Sequence, residues 1–190
     1  AIAIGEENES KEADTITMGN KNTANTGGGI AIGKGNTANS TAGGGSAGIN
    51  SQIAIGRDNQ AVDEDTLAVG RENKATERLA MAIGNRTEAT GVGSIAIGSN
   101  GAPDNKGNVF KTVSSGTFSV ALGAQTSSTG TASVAVGGLA SATATSATAV
   151  GHGATANEQA AVAVGKNATV KEQATTSTYT YSGTGGAVVG

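Results

Sequence analysis

The 190-residue chain has no cysteine, no tryptophan, one proline, two phenylalanines and two tyrosines. Without cysteine there is no disulfide scaffold and no thiolate metal site. Only 36% of residues are apolar, about half of them Ala, so an ordinary core of large side chains is out of reach. Large side chains supply most burial free energy, at about 25 cal/mol per Å² of apolar surface. A chain this poor in them either stays disordered or buries the few it has very efficiently. Charge is also sparse. Net charge is −3. Residues 1–98 carry 8 basic and 12 acidic side chains, residues 99–190 only 4 and 3. Neither half has the clustered Lys and Arg that nucleic acid calls for. No apolar run approaches the roughly 20 residues that span a bilayer, and no signal peptide is visible.

What the chain has is repetition, with 31 glycines placed to a beat. An apolar residue, usually Ala, a second apolar residue and Gly recur twelve times, from Ile2-Ala3-Ile4-Gly5 to Ala187-Val188-Val189-Gly190. Successive glycines lie 14, 14, 23, 14, 14, 14, 25, 14, 14, 14 and 25 residues apart. A fixed period with whole insertions is the signature of a solenoid. Within each motif the large residues are two apart, so along a strand they share one face and Ala takes the other. The β-branched Ile and Val suit extended backbone, and Gly ends the strand where a turn excludes a Cβ. This spacing predicts that the Ile/Val pair points inward. It predicts that the Ala row forms a smooth outer stripe, where another copy of the chain packs.

Five residues past Gly a second small position recurs (Ala24, Ala38, Ala61, Ala75, Ala89, Ala142, Ala156), marking a second short strand whose small side chain turns inward. Two short strands and two turns fit 14 residues, giving one coil per repeat and about twelve coils in a single unit, 1–190. Asn8, Asn22, Asn36, Asn59 and Asn73 stand three residues after Gly and suit a turn or a hydrogen-bonded amide ladder.

The units resemble the YadA-like heads of trimeric autotransporter adhesins, whose Ser-Val-Ala-Ile-Gly signature is present as Ser94-Ile95-Ala96-Ile97-Gly98, Ser119-Val120-Ala121-Leu122-Gly123 and Ser133-Val134-Ala135-Val136-Gly137. The resemblance implies an all-β, left-handed parallel β-roll assembled as a homotrimer. It further implies display on a Gram-negative cell surface and attachment to a host extracellular matrix protein or cell-surface receptor. The family's signal peptide, neck, coiled-coil stalk and membrane anchor are expected outside this segment, which begins within one motif and stops at the Gly of another. The other reading is a structural spacer of a surface fibre whose binding region lies elsewhere.

Insertions are expected near 38–51, 99–118 and 166–186. The first is Gly-rich. The other two hold or border all four aromatics, Phe110, Phe118, Tyr179 and Tyr181, the candidate ligand or inter-chain contacts. Val109–Val113 and Thr117–Val120 around Ser115-Gly116 read as a β-hairpin, and Thr178–Tyr181 before Ser182-Gly183 reads similarly. No catalytic constellation, metal site or cofactor site emerges. His152 is the only histidine and reads as a solvated turn residue, and Asp63-Glu64-Asp65 reads as a charged loop. The column Lys34, Arg57, Arg71 and Lys166 reads as a solvated edge. Hexapeptide acyltransferases also coil, but with a period of six.

Overall fold

The computed structural model describes residues 1–40, 51–100 and 110–170, together with the backbone of Ala187–Val189. Each motif forms a strand of three to five residues, and each second site forms a two-residue strand. The motif strands stack into one 12-stranded sheet and the short strands into an 11-stranded sheet. Successive strands run parallel and in register as far as Val162–Val164, with Ile2 opposite Ile16 and Gly5 opposite Gly19. The first two longer intervals leave this register intact. Gly33 pairs with Gly56 across the 23-residue step, and Ile97 with Leu122 across a 25-residue step. The chain is therefore a parallel β-solenoid with no helix among the described residues. At about 4.8 Å per coil, its eleven short strands make a stack about 50 Å tall.

The last motif departs from the expected twelfth coil. Ala187–Val189 pairs antiparallel with Val162–Val164, so the chain folds back there instead of continuing upward. The first 25-residue step also differs from expectation. Val113–Ser114 pairs in parallel with Glu88–Ala89 and with Ser127–Ser128, and Val120–Leu122 pairs in parallel with Ile95–Ser99. Residues from Thr112 onward thus form a regular coil, not a hairpin. The second hairpin expected around Tyr179 and Tyr181 lies outside the described residues, as does most of the Gly-rich insertion.

Inside and outside are reversed along the motif strand. The motif alanines, Ala31, Ala54, Ala68, Ala82, Ala96, Ala121, Ala135, Ala149 and Ala163, are fully buried. Their large neighbours face out, and Ile4 keeps 53% of its surface exposed. The expected outer Ala stripe is the core. The reason is space. Four positions per coil turn inward, as in Asn73, Ala75, Ala80 and Ala82, and nearly all of them hold Ala, Ser, Thr or Asn, with Gln52 and Val170 the larger exceptions. No Ile, Leu or Phe is fully buried among the described residues, where the largest such side chain is Gln52.

The motif Gly is fixed by two constraints together. Gly70 has φ +125°, and a Cβ there would stand 2.0 Å from the carbonyl oxygen of Gly84 in the next coil. Each coil then makes two turns with a left-handed residue in each. The first places Lys21, Asp58, Glu72 and Arg86 at φ near +56°. The second places Asp65, Leu79, Gly93, Phe118, Ala132, Ser146 and Ala160 there. Asp, Gly and Ser are ordinary in this region, whereas Leu79 and Phe118 hold a conformation that bulky residues avoid.

The asparagines form the ladder that their spacing suggested, one residue past the left-handed position. Asn22, Asn36, Asn59 and Asn73 each donate from Nδ2 to Oδ1 of the Asn one coil below at 3.0 Å. Each amide also serves two carbonyls. Asn36 Nδ2 reaches Ile32 O at 2.9 Å and Gly56 O at 2.8 Å. Thr87, Thr112 and Thr126 continue this column, followed by Ala140, Ala154 and Ala168. In those last coils the backbone substitutes for the amide. Ala140 N–H donates to Gly137 O at 3.2 Å, closing a tight turn, and Ala154 and Ala168 repeat it. The motif strand shortens from five residues at Ile95–Ser99 to three at Val120–Leu122 as the turn tightens.

Candidate functional site

Three outer surfaces follow from this cross-section. The first is the outward face of the 12-stranded sheet. Two columns run up it, one through Ile2, Ile16, Ile30, Ile53, Leu67, Met81, Ile95, Val120 and Val134, the other through Ile4, Met18, Ile32, Ile55, Val69, Ile83, Ile97, Leu122 and Val136. Every one of these side chains is half-buried or exposed. Pleat alternation puts them on one face because the small residue between each pair is turned into the core. The result is an apolar strip as long as the solenoid, far beyond the isolated apolar residues of an ordinary surface.

The second surface is the edge formed by the first turn. Of the basic column read as a solvated edge, Lys34 and Lys166 are exposed, whereas Arg57 and Arg71 meet Glu72. Glu72 lies among three arginines from three successive coils. Arg86 Nε donates to Glu72 Oε2, Arg57 Nη2 lies 3.8 Å from Oε1, and Arg71 Nε lies 3.7 Å from Oε1. Arg71 Nε is within reach of charge attraction but makes no hydrogen bond. The hydrogen bond from Arg86 is the main reason that the Glu72 carboxyl titrates below its ordinary value of 4.5. The charges of Arg86, Arg71 and Arg57 add to it, against a smaller opposing effect of desolvation. Beside this cluster runs a groove of about 320 Å³ lined by Asp58, Gln60, Glu72, Lys74, Arg86, Glu88 and Lys111. Lys111 closes its end through an ion pair with Glu88.

The third surface is the opposite edge, formed by the second turn. Phe118 sits there at φ +55° with 63% of its surface exposed. Its ring lies against Gly93 of the preceding coil, where a Cβ would come within 2.7 Å of Cδ1. Phe110 is half exposed and enters its coil at the first turn. The strand Val113–Ser114 separates the two, so the fold does not gather these aromatics into one cluster. Tyr179 and Tyr181 lie outside the described residues. Sequence reading missed the seat that Gly93 provides. The signal was present as a glycine in the second-turn column just before the one phenylalanine in it. His152 follows Gly151 at the first turn and is exposed. Among the described residues no group of three or more His, Asp or Glu side chains is placed to hold a metal ion.

The architecture defines a class of protein. It is a parallel β-solenoid of 14-residue coils with a core of Ala, Asn, Ser and Thr, a glycine at each strand end and one continuous apolar face. Within that class, residues 75–100, 114–140 and 142–168 match the YadA head domain repeat (2 copies). The chain carries a YadA-like head domain. The matched segments include Thr-type and Ala-type coils, and the Asn-ladder coils below them share the same register and core. Comparison with curated proteins yields no match.

Proposed function

We propose that this chain is the head of a surface-displayed adhesin that works as a homotrimer. Three left-handed rolls pack their long sheets around a common axis. The observation that carries the reading is the strip of Ile, Leu, Met and Val along the whole sheet. It is too large and too regular to stay in water, and a second and third copy of the same surface match it in length and spacing. The family match supports the rest of the reading. In this reading the head stands on the surface of a Gram-negative bacterium, held to the outer membrane by regions outside residues 1–190. It attaches to a host extracellular matrix protein or cell-surface receptor. Three identical outer surfaces then engage repeated ligands, so weak single contacts combine into avidity. Its role is attachment, not catalysis.

Light scattering on the chain, alone and fused to a trimeric coiled coil, tests the assembly. Binding of the fused trimer to immobilised collagen, fibronectin and laminin and to host cells tests the attachment. A trimer that holds to one of these surfaces supports the reading, and a trimer that holds to none refutes it. A spacer role is the second reading. It is favoured by the coils from Gly137 to Ala168, whose Ala-lined interiors repeat with little change. A spacer would leave attachment unchanged when these coils are deleted in whole 14-residue steps. It would show no attachment by the isolated head.

A further inference from the structure

The turn edge at Phe118 has the construction of a stacking platform, and the geometry points to a neutral glycan as its ligand. The inference rests on the adhesin reading and names the chemical class that the head would grip.

The argument begins with where the ring is held. In the second-turn column the coils carry Asp65, Leu79, Gly93, Phe118, Ala132, Ser146 and Ala160, all at positive φ. Gly accepts that backbone freely and Asp tolerates it, whereas a bulky phenylalanine is an outlier there. Phe118 is nevertheless fixed there from both sides of its turn. Its N–H donates to Val92 O at 2.8 Å, and the following Ala132 N–H donates to Thr117 O at 2.8 Å. A strained residue that the surrounding structure over-determines is a pointer to function.

The seat is specific to this coil. The ring lies over the backbone of Gly93, and any side chain there would collide with Cδ1 and Cε1. Gly93 N–H is itself tied to Arg78 O at 2.8 Å, so the seat is rigid. With Leu79 one coil further down and 47% exposed, the edge carries an apolar strip three coils long. Phe118 still leaves most of its own surface in water, so it does not serve to pack the coil.

The occupant follows from what surrounds the ring. No Lys, Arg, Asp or Glu occurs between Lys111 and Glu158, so the edge is uncharged at Phe118 and in the two coils above it, with Glu77 and Arg78 two coils below and Glu158 three above. An anionic or cationic ligand would find no complementary partner beside the ring itself. Thr117, Thr131 and Thr145 repeat one per coil beside the ring, the first half-buried and the latter two exposed. A flat electron-rich ring face next to a row of hydroxyls suits a pyranose. The sugar's C–H face stacks on the ring, and its hydroxyls exchange hydrogen bonds with the threonines.

The chain's few aromatics make the test direct. With two Phe, two Tyr and no Trp, ring resonances of the full 190-residue chain are resolvable one by one. The probes are lactose, N-acetyllactosamine and maltotriose, with sialyllactose as the charged comparison. The expected result is that at least one neutral oligosaccharide shifts the Phe118 ring signals. Retention on beads bearing that sugar should fall at least tenfold in Phe118→Ala and persist in Phe118→Tyr. Phe118→Ala should fold, because Ala132 and Ala160 already occupy the same turn position. The proposal is overturned if no neutral sugar shifts the ring, or if Phe118→Ala is retained as well as the parent. It is overturned equally if Phe118→Ala lowers the oligomer mass, since the ring would then belong between protomers. Attachment to cells that is lowered neither by glycosidase treatment nor by Phe118→Ala would overturn the glycan platform while leaving the adhesin reading standing. Attachment to no surface at all would overturn the adhesin reading itself.

Discussion

Asn73 Oδ1 accepts the hydroxyl of Thr87 at 2.8 Å, and at that contact the amide ladder of the lower coils ends. Below it, every rung is an Asn whose side chain serves the rung beneath and the glycine carbonyl above. Beyond it, threonine hydroxyls and then backbone turns take over. The lower coils therefore depend on a buried amide ladder, whereas the coils of Thr112 and Thr126 use single hydroxyls to the carbonyls of Gly123 and Gly137.

Removing one rung should cost accordingly. Asn59→Ala deletes bonds to Asn36 Oδ1, Ile55 O and Gly70 O, and strips Asn73 of its acceptor. The expected loss is about 2–4 kcal/mol, since several buried groups are left unpaired. Asn59→Asp should be worse, because a carboxylate cannot donate to the two carbonyls. Urea unfolding of both variants measures this. Equal stability of Asn59→Ala and the parent would contradict the role assigned to the ladder.

Glycine substitutions should separate sharply by place. Gly70→Ala puts a methyl 2.0 Å from a carbonyl oxygen at φ +125°, so a loss above about 4 kcal/mol or failure to fold is expected. Gly138→Ala meets nothing closer than 3.5 Å and should change stability by less than about 0.5 kcal/mol. A thermal melt of the pair suffices, and similar melting temperatures would refute the account.

The reversal of inside and outside is testable on adjacent residues. Ala54→Leu forces a large side chain into a core built for methyl groups and should destabilise each roll by about 1–3 kcal/mol or more. Ile55→Asp, on the exposed face, should leave the roll folded and lower the oligomer mass from trimer to monomer. Circular dichroism reads the first effect and light scattering the second. A trimer that survives Ile55→Asp together with Ile97→Asp would rule out packing through this face.

Glu72 gives the molecule an acid-sensitive contact. Its carboxyl titrates below 4.5 in the folded state, so its pairing contributes fully above that value. The contribution is lost as pH falls through the depressed value. Glu72→Gln should therefore flatten the decline of stability on the acid side of about pH 4.5, with the difference from the parent shrinking in high salt. Denaturant midpoints across that range decide it. Parallel curves for the two proteins would remove Glu72 from the acid response.

Much of this was legible from spacing alone. The glycine beat fixed the coil, and the in-register stacking of Gly33 on Gly56 shows why the insertions could be set aside. The alanine five residues past Gly was correctly placed inside. The motif alanine was not, because burial was assigned by hydrophobicity when the available width decides it. Since Ala61 and Ala75 already showed that the short strand presents only methyl groups inward, the facing strand could have been given the same limit. The hairpin reading failed for a related reason. Phe110 and Phe118 looked like paired strand residues, but Thr112, Ser114 and Ser119 between and beside them occupy the inward columns of an ordinary coil. The arginine cluster at Glu72 was hidden because Arg57, Arg71 and Arg86 meet only when coils 14 or 15 residues apart are stacked.

The in-register stack has a further consequence for how such a molecule changes over generations. Each coil closes its own turns and touches only the coil above and the coil below. Duplicating or excising 14 residues then alters reach by one step of about 4.8 Å and disturbs nothing else. Height becomes a counted quantity, adjustable by recombination between near-identical stretches of gene, while the tip keeps its chemistry.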